Sequence, residues 1–197
     1  ESQAHNIFLG DLARQRGINA TIVDHSLESI ATIDPSPDLV IVSGIDAQEF
    51  TQTQLNAIKG YIDRGGTILF ETPGGRGDFA RAARHSLETL FGQPAQGLSG
   101  SRIITGISLD GAVNIERVDY RPYSLQMFAA RENAPRLTGI SVNGQPRVLF
   151  SDEDLSNALL DQPCWGVSGY SAQSARDLLG NIVQHAMTAF PASAPAP

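Results

Sequence analysis

The sequence predicts an α/β fold: an open, mostly parallel sheet with helices on both faces and a β-hairpin in its C-terminal region. Three observations carry that expectation. Asp38-Leu-Val-Ile-Val-Ser43 and Thr67-Ile-Leu-Phe-Glu71 are continuous apolar runs of strand length, the pattern of strands covered on both faces. Between them lies a stretch with helical spacing, so strand, helix and strand follow one another at the length a parallel crossover requires. Further on, Asn143-Gly144 separates the apolar runs Leu137 to Val142 and Arg147 to Phe150, the strongest short-range signal for a hairpin.

The elements are expected in this order. A helix spans Ala4 to Arg16, with Ile7, Phe8, Leu12 and Ala13 near one face and Arg14 and Arg16 in the last turn before Gly17. A short strand follows at Thr21 to Val23, then a brief helical turn within Ser26 to Ile33, closed by Pro35 and Pro37. Gly44 ends the Leu39 strand. Thr51-Gln-Thr-Gln54 has the form of a capping box, in which the Thr hydroxyl and the Gln amide satisfy free backbone groups at a helix start. That helix runs to Arg64 with Leu55, Ile58, Tyr61 and Ile62 inward, and Gly65-Gly66 stops it. Thr72-Pro-Gly-Gly-Arg-Gly77 is a loop, and Asp78 is the expected N-cap of a helix reaching Phe91. Phe79, Ala83, Leu87 and Leu90 face inward there, and Gly92 terminates it. From Gln93 to Arg136 the pattern weakens, with short strands expected at Ile103-Ile104 and Val113 to Val118. Pro146 points to an edge strand or a longer hairpin loop. A final amphipathic helix runs from Ser171 to about Ala189, with Ala175, Leu178, Leu179, Ile182, Val183 and Ala186 along one side. Residues 1–190 form a single domain in this reading, and the Pro/Ala-rich residues 191–197 a flexible tail.

Composition narrows the function classes. The apolar share of 41% and charged share of 18% are those of an ordered globular chain. No apolar run approaches the roughly 18 residues of a membrane span. A net charge of -7 disfavours nucleic acid and anionic membranes as partners. One cysteine, Cys164, excludes an internal disulfide and any cysteine-rich zinc site. The start at Glu1 rather than Met, together with the tail, is the pattern of an exported protein with its signal removed.

Several segments in fixed order carry a resemblance: Asp38 to Gly44, Leu55 to Gly66, Leu69-Phe-Glu-Thr-Pro-Gly-Gly75 with Phe79, Val148 to Leu155, and Leu179 to Thr188. Together they resemble a bacterial domain-of-unknown-function family, number 4159, over about residues 20–190. That family is similar in fold to the class I glutamine amidotransferase-like and ThuA-like proteins, which implies a flavodoxin-like sheet and no established activity. The resemblance also implies further chain before the opening helix. The family's loop after the second strand often carries adjacent acidic residues. Here Glu71 is followed by Thr-Pro-Gly-Gly, so no metal or acid–base role carries over.

Familiar catalytic patterns are missing. An amidotransferase cysteine sits on a strand-to-helix elbow, whereas Cys164 lies in Asp161-Gln-Pro-Cys-Trp-Gly166 and is expected as a small, buried or half-buried residue. Gly97-Leu-Ser-Gly-Ser101 and Gly166-Val-Ser-Gly-Tyr170 both lack the last glycine of a serine elbow. The four histidines are scattered, and Asp152-Glu-Asp154 is expected to offset a helix dipole. Gly74-Gly-Arg-Gly77 lacks both the Lys-Ser/Thr of a P-loop and the spacing of a dinucleotide fingerprint, and no cofactor is expected. Arg76, Arg81 and Arg84 leave the loop suited to an anion or carboxylate. Trp165, the only tryptophan, is expected to plug the end of the core, with stacking on a sugar or partner as the functional alternative.

Ligands of open α/β sheets sit beyond the carboxyl ends of the strands. The expected ligand site is therefore Ser43, Gly44, Glu71, Thr72, Gly74, Gly75, Arg76 and Asp78, in a non-catalytic domain that binds a small ligand or a partner protein. Two alternatives stand beside it. One is a hydrolase acting on a small or carbohydrate-like substrate with Glu71 as general base; the other is an assembly domain of an envelope-associated protein.

Overall fold

The computed structural model describes residues 2–127, 133–162 and 164–188. Helix α1 (Ser2–Arg16) opens the chain, followed by a 3-10 turn at Leu27–Ser29, strand β1 (Leu39–Ser43), helix α2 (Gln52–Asp63) and strand β2 (Thr67–Glu71). A 3-10 turn at Pro73–Gly75 leads into α3 (Phe79–Phe91). After β3 (Gln96–Gly97) come the short helices α4 (Arg102–Thr105) and α5 (Pro122–Met127), and then β4 (Leu137–Val142) and β5 (Gln145–Ser151). A 3-10 turn at Asn157–Leu160 and α6 (Ala172–Met187) complete the described chain. The expected tail at residues 191–197 and the end of the last helix at Ala189 lie outside the described residues.

The strands form one sheet in the order β1-β2-β5-β4-β3. β1 pairs with β2 and β2 with β5 in parallel, while β5–β4 and β4–β3 are antiparallel. The sheet is thus mixed, not mostly parallel, because two of its four pairings, the β4–β5 hairpin and β3–β4, are antiparallel. Side chains alternate across it. Ile68, Phe70, Val148 and Phe150 face α2 and α3, and Leu69 and Leu149 face α1, α4 and α6. The Phe70 and Phe150 rings stack at 5.8 Å between centroids across the β2–β5 pair.

Local signals explain most boundaries. Thr51 and Gln54 form the complete capping box at α2. Asn143 (φ 53°) and Gly144 (φ 75°) supply the two left-handed residues of a tight hairpin turn. Pro146 is accommodated where the β4–β5 register shifts between Ile140 and Ser141, so β5 is central in the sheet despite it. Ser171 caps α6 by accepting from Ser174 N.

Five local expectations are corrected. β1 has an apolar run but pairs on one side only, and its burial is partial. Thr21 to Val23 is no strand: it pairs with nothing, and Ile22 and Val23 are 48% and 66% exposed. Ile103-Ile104 lies in helix α4, and Val113 to Val118 is irregular. The backbone there is served by one side chain. Asn181 of α6 donates to the carbonyls of Ile103 and Val113 and accepts from Val113 N, doing the work of a neighbouring strand. Asp78 precedes α3 as expected but makes no capping bond. Asp78 N and Phe79 N donate to Ile45 O, and Ala80 N to Thr72 Oγ1. Finally, no α-helix begins at Asp152-Glu-Asp154; these residues bend out of β5 instead.

Candidate functional site

The parallel strands deliver Ser43, Glu71 and Ser151 to one edge of the sheet at the same register level. Glu71 is wholly buried there. Its Oε1 accepts from the Ser43 hydroxyl at 2.9 Å and from the Ser156 hydroxyl, and its Oε2 accepts from Ser156 N at 3.2 Å. Burial pushes the Glu71 carboxyl above its usual range. The serine hydroxyls pull it back, and the nearby Asp154 charge adds to the rise.

Asp154 is the second buried carboxyl. Its Oδ1 accepts from Gly74 N at 2.7 Å and from Asn157 N and Nδ2 at 3.3 and 3.0 Å, whereas Oδ2 is buried without a hydrogen-bond partner. Burial raises its pKa as well, against the pull of the Gly74 and Asn157 N–H groups and the Arg121 charge. Among the described residues no cluster of His, Cys, Asp and Glu is arranged to hold a metal ion.

The crevice beyond these strand ends is closed by the protein's own backbone. Ser168 N donates to Gly74 O, Asp154 N to Ser168 O, and Tyr170 N to Asp154 O. Gly75, at φ 60°, packs so closely that a Cβ there would lie 1.7 Å from Ser168 O. Ser124 holds the same segment from the far side, donating to Gly169 O and accepting from Gly169 N at 2.7 Å. Residues 166–170 thus form a strap across the turn at Pro73–Gly75.

Beside this strap opens a cleft of about 470 Å³, lined by residues of the α5 and α6 N-termini and of the 161–165 loop, among them Tyr120, Arg121, Tyr123, Asp161, Gln162 and Trp165. Trp165 is 74% exposed and meets Tyr123 edge-on at 5.6 Å. The expected core plug is therefore a surface aromatic. Cys164 is likewise exposed, not buried as expected, beside exposed Trp165. Arg76 bridges the two regions, its guanidinium 5.8 Å above the Tyr123 ring. Arg121 donates to the carbonyls of Gln162 and Asn157, and neither Arg76 nor Arg121 pairs with a described carboxylate within 4 Å.

The residues singled out from sequence fall into three groups. Gly74 and Gly75 lie against the strap, and Glu71 and Thr72 are buried at the end of β2. Ser43 and Gly44 lie at the β1 end, Ser43 exposed and bonded to Glu71. Asp78 is exposed and paired with Arg81, so of the set only Arg76 reaches toward the cleft. Sequence reasoning missed Asp154, Ser156, Ser168, Arg121 and Tyr123. Ser156 stands 85 residues beyond Glu71 and is brought to it by the parallel pairing of β2 with β5, while Ser168 meets Gly74 and Asp154 through the strap. The acidic run Asp152-Glu-Asp154 was visible, but its role as a receiver of loop N–H groups was not.

The fold and site define an α/β domain with a mixed sheet, a sealed carboxyl cluster at the strand ends and an aromatic cleft beside it. Residues 38–187 match the model of the family described as Domain of unknown function (DUF4159), and the chain belongs to that family. No curated protein matches the chain significantly. No helix among the described residues is long and apolar enough to cross a membrane.

Proposed function

We propose that this chain is a non-catalytic α/β domain, residues 1–190, that binds a small ligand in the cleft between Trp165 and Tyr123. The observation that carries this reading is the exposed aromatic corner itself. A large apolar ring left three-quarters open beside a concavity of ligand size, with polar groups around it, has the form of a recognition surface. The loop residues expected from sequence serve it indirectly. Ser43, Gly44, Glu71, Thr72 and Asp78 brace the strand ends, and Gly74 and Gly75 seat the strap and set the position of Arg76. The parallel half of the sheet, β1-β2-β5 with helices on both faces, is taken as flavodoxin-like in kind. The test is a thermal-shift screen of small polar metabolites against the purified chain. Saturable stabilisation that Trp165→Ala removes, with the unliganded melting temperature unchanged, supports the reading; stabilisation indifferent to Trp165 counts against it.

A second reading has one observation in its favour. The exposed Ser43 hydroxyl lies 2.9 Å from Glu71 Oε1, a nucleophile and a base within hydrogen-bond reach, as a hydrolase with Glu71 as general base requires. It ranks lower because both Glu71 oxygens already accept hydrogen bonds and the carboxyl is wholly buried. Ester turnover lost in both Ser43→Ala and Glu71→Gln would place it first.

A further inference from the structure

We infer that the ligand of the Trp165 cleft is an acidic saccharide, a sugar carrying a carboxylate of the uronic-acid type; this rests on the binding reading above and specifies its chemistry. Three features of the cleft converge on that class.

The first is the shape of the aromatic surface. Trp165 presents an open face, and Tyr123 stands edge-on to it at an interplanar angle of 76°. The result is a corner with one flat floor and one wall. The C–H-bearing face of a pyranose ring can lie on such a floor, and one apolar face with a polar circumference is what a sugar offers and a hydrocarbon does not.

The second is the polar fringe. Asp161, Gln162 and Ser171 line the same cleft. Asp161 and Gln162 bring a carboxylate and an amide suited to sugar hydroxyls, while the Ser171 hydroxyl is held by Ser174 as the cap of α6. Asp161 and Gln162 are exposed, so their polar ends are open to a ligand.

The third is charge. The chain carries a net -7, yet the cleft gathers Arg121 in its lining and Arg76 over Tyr123, against the single carboxylate of Asp161. Arg121 spends two N–H groups on backbone carbonyls and its charge also acts on Asp154, whereas Arg76 pairs with no described carboxylate within 4 Å. A guanidinium beside a stacking platform is the natural receiver of a carboxylate, where it can make two parallel hydrogen bonds. A cleft of about 470 Å³ that opens to solvent seats one or two rings of a short oligosaccharide.

The protein supplies its own reporter, because Trp165 is the only tryptophan and its fluorescence reads this cleft alone. The experiment titrates the purified chain with tri-galacturonate, with its methyl ester and with maltotriose, following Trp165 emission and confirming affinities by calorimetry. Saturable quenching by tri-galacturonate is expected, with the ester and the neutral trisaccharide at least tenfold weaker. Arg76→Gln is expected to erase that preference while the far-ultraviolet circular dichroism spectrum stays unchanged. Equal affinity for acid and ester overturns the carboxylate assignment, and no saturable response to any of the three overturns the saccharide assignment. If the metabolite screen meanwhile finds a different ligand that depends on Trp165, the cleft remains a binding site and only this inference falls. A screen without any Trp165-dependent ligand removes the broader reading.

Discussion

His185 shows how much one residue can be defined by its neighbours. It is fully buried on α6, its Nδ1 accepts from Arg102 Nε at 2.9 Å, and its Nε2 lies 2.7 Å from Pro146 O. Only the neutral ring with its proton on Nε2 satisfies both contacts, since a second proton would point at a guanidinium N–H. Burial, with the charges of Arg102 and Arg147, lowers its pKa to about 4, against the Pro146 bond that raises it. The folded pKa lies below the unfolded value of 6.5, so the stabilisation is complete above 6.5 and drains away as pH falls toward 4. The loss amounts to ~3 kcal/mol, read from urea unfolding at pH 7 and pH 4 as the part of the change that His185→Gln removes. Glu71 runs the other way. Its folded pKa is raised, so its contribution is intact below the ordinary value of 4.5 and declines as pH climbs from there through the folded pKa. Asp154 adds to that decline with the same sign. Glu71→Gln is therefore expected to flatten the stability profile on the alkaline side of 4.5, and an unchanged slope would show that Glu71 ionises freely in the fold.

Among the elements, those announced by local chemistry were legible and those built by distant partners were not. The α2 capping box, the Asn143-Gly144 turn and the strands β2 and β5 each follow from residues within a few positions of one another. Ile103-Ile104 was misread because its β-branched pair suits a strand, while the side chain that serves the Ile103 carbonyl is Asn181, 78 residues away. The strap was illegible for the same reason. Nothing in Gly166-Val-Ser-Gly-Tyr170 announces that Ser168 will bond to Gly74 and Asp154. The glycines around it do record the contact, since Gly75 has no room for a side chain and Gly169 would place a Cβ 2.6 Å from Asp154. Gly75→Ala combines a left-handed backbone with a collision against Ser168 O that no rotamer relieves. A loss of at least ~2 kcal/mol is expected, read as a lower chemical-denaturation midpoint. Gly74→Ala, also at positive φ (79°) but with open space around it, is expected to cost less. Equal costs would mean that backbone strain, not the strap, accounts for both.

For the molecule as a whole, the instructive mismatch is between the segment that defines the family and the segment that completes the core. The family match begins at residue 38, yet α1 lies before it and belongs to the main hydrophobic cluster. Ala4, Phe8 and Leu12 are buried with Leu69, Leu149, Leu178 and Ile182, covering one face of the sheet. Arg16 then fastens α1 to α6. Its NH1 donates to Asn181 Oδ1 at 2.9 Å and to Gln184 Oε1, its NH2 to Asp177 O at 3.4 Å, and Gly180 leaves the space that the guanidinium fills. Asn181 is the same residue that serves the backbone at Ile103 and Val113, so Arg16 helps hold in place the side chain that orders a loop on another element. Arg16→Ala leaves Gln184 Oε1 without its donor and Asn181 Oδ1 with Val113 N alone, and is expected to cost about 1–3 kcal/mol. Removing residues 1–18 strips Phe8 and Leu12 as well, each worth about 1.5–3 kcal/mol of burial. Those losses together approach the total stability of an ordinary domain, so a 19–197 fragment is expected to unfold without cooperativity and to bind a hydrophobic dye. A fragment that melts cooperatively within a few degrees of the full chain would show that α1 rests on the core without completing it.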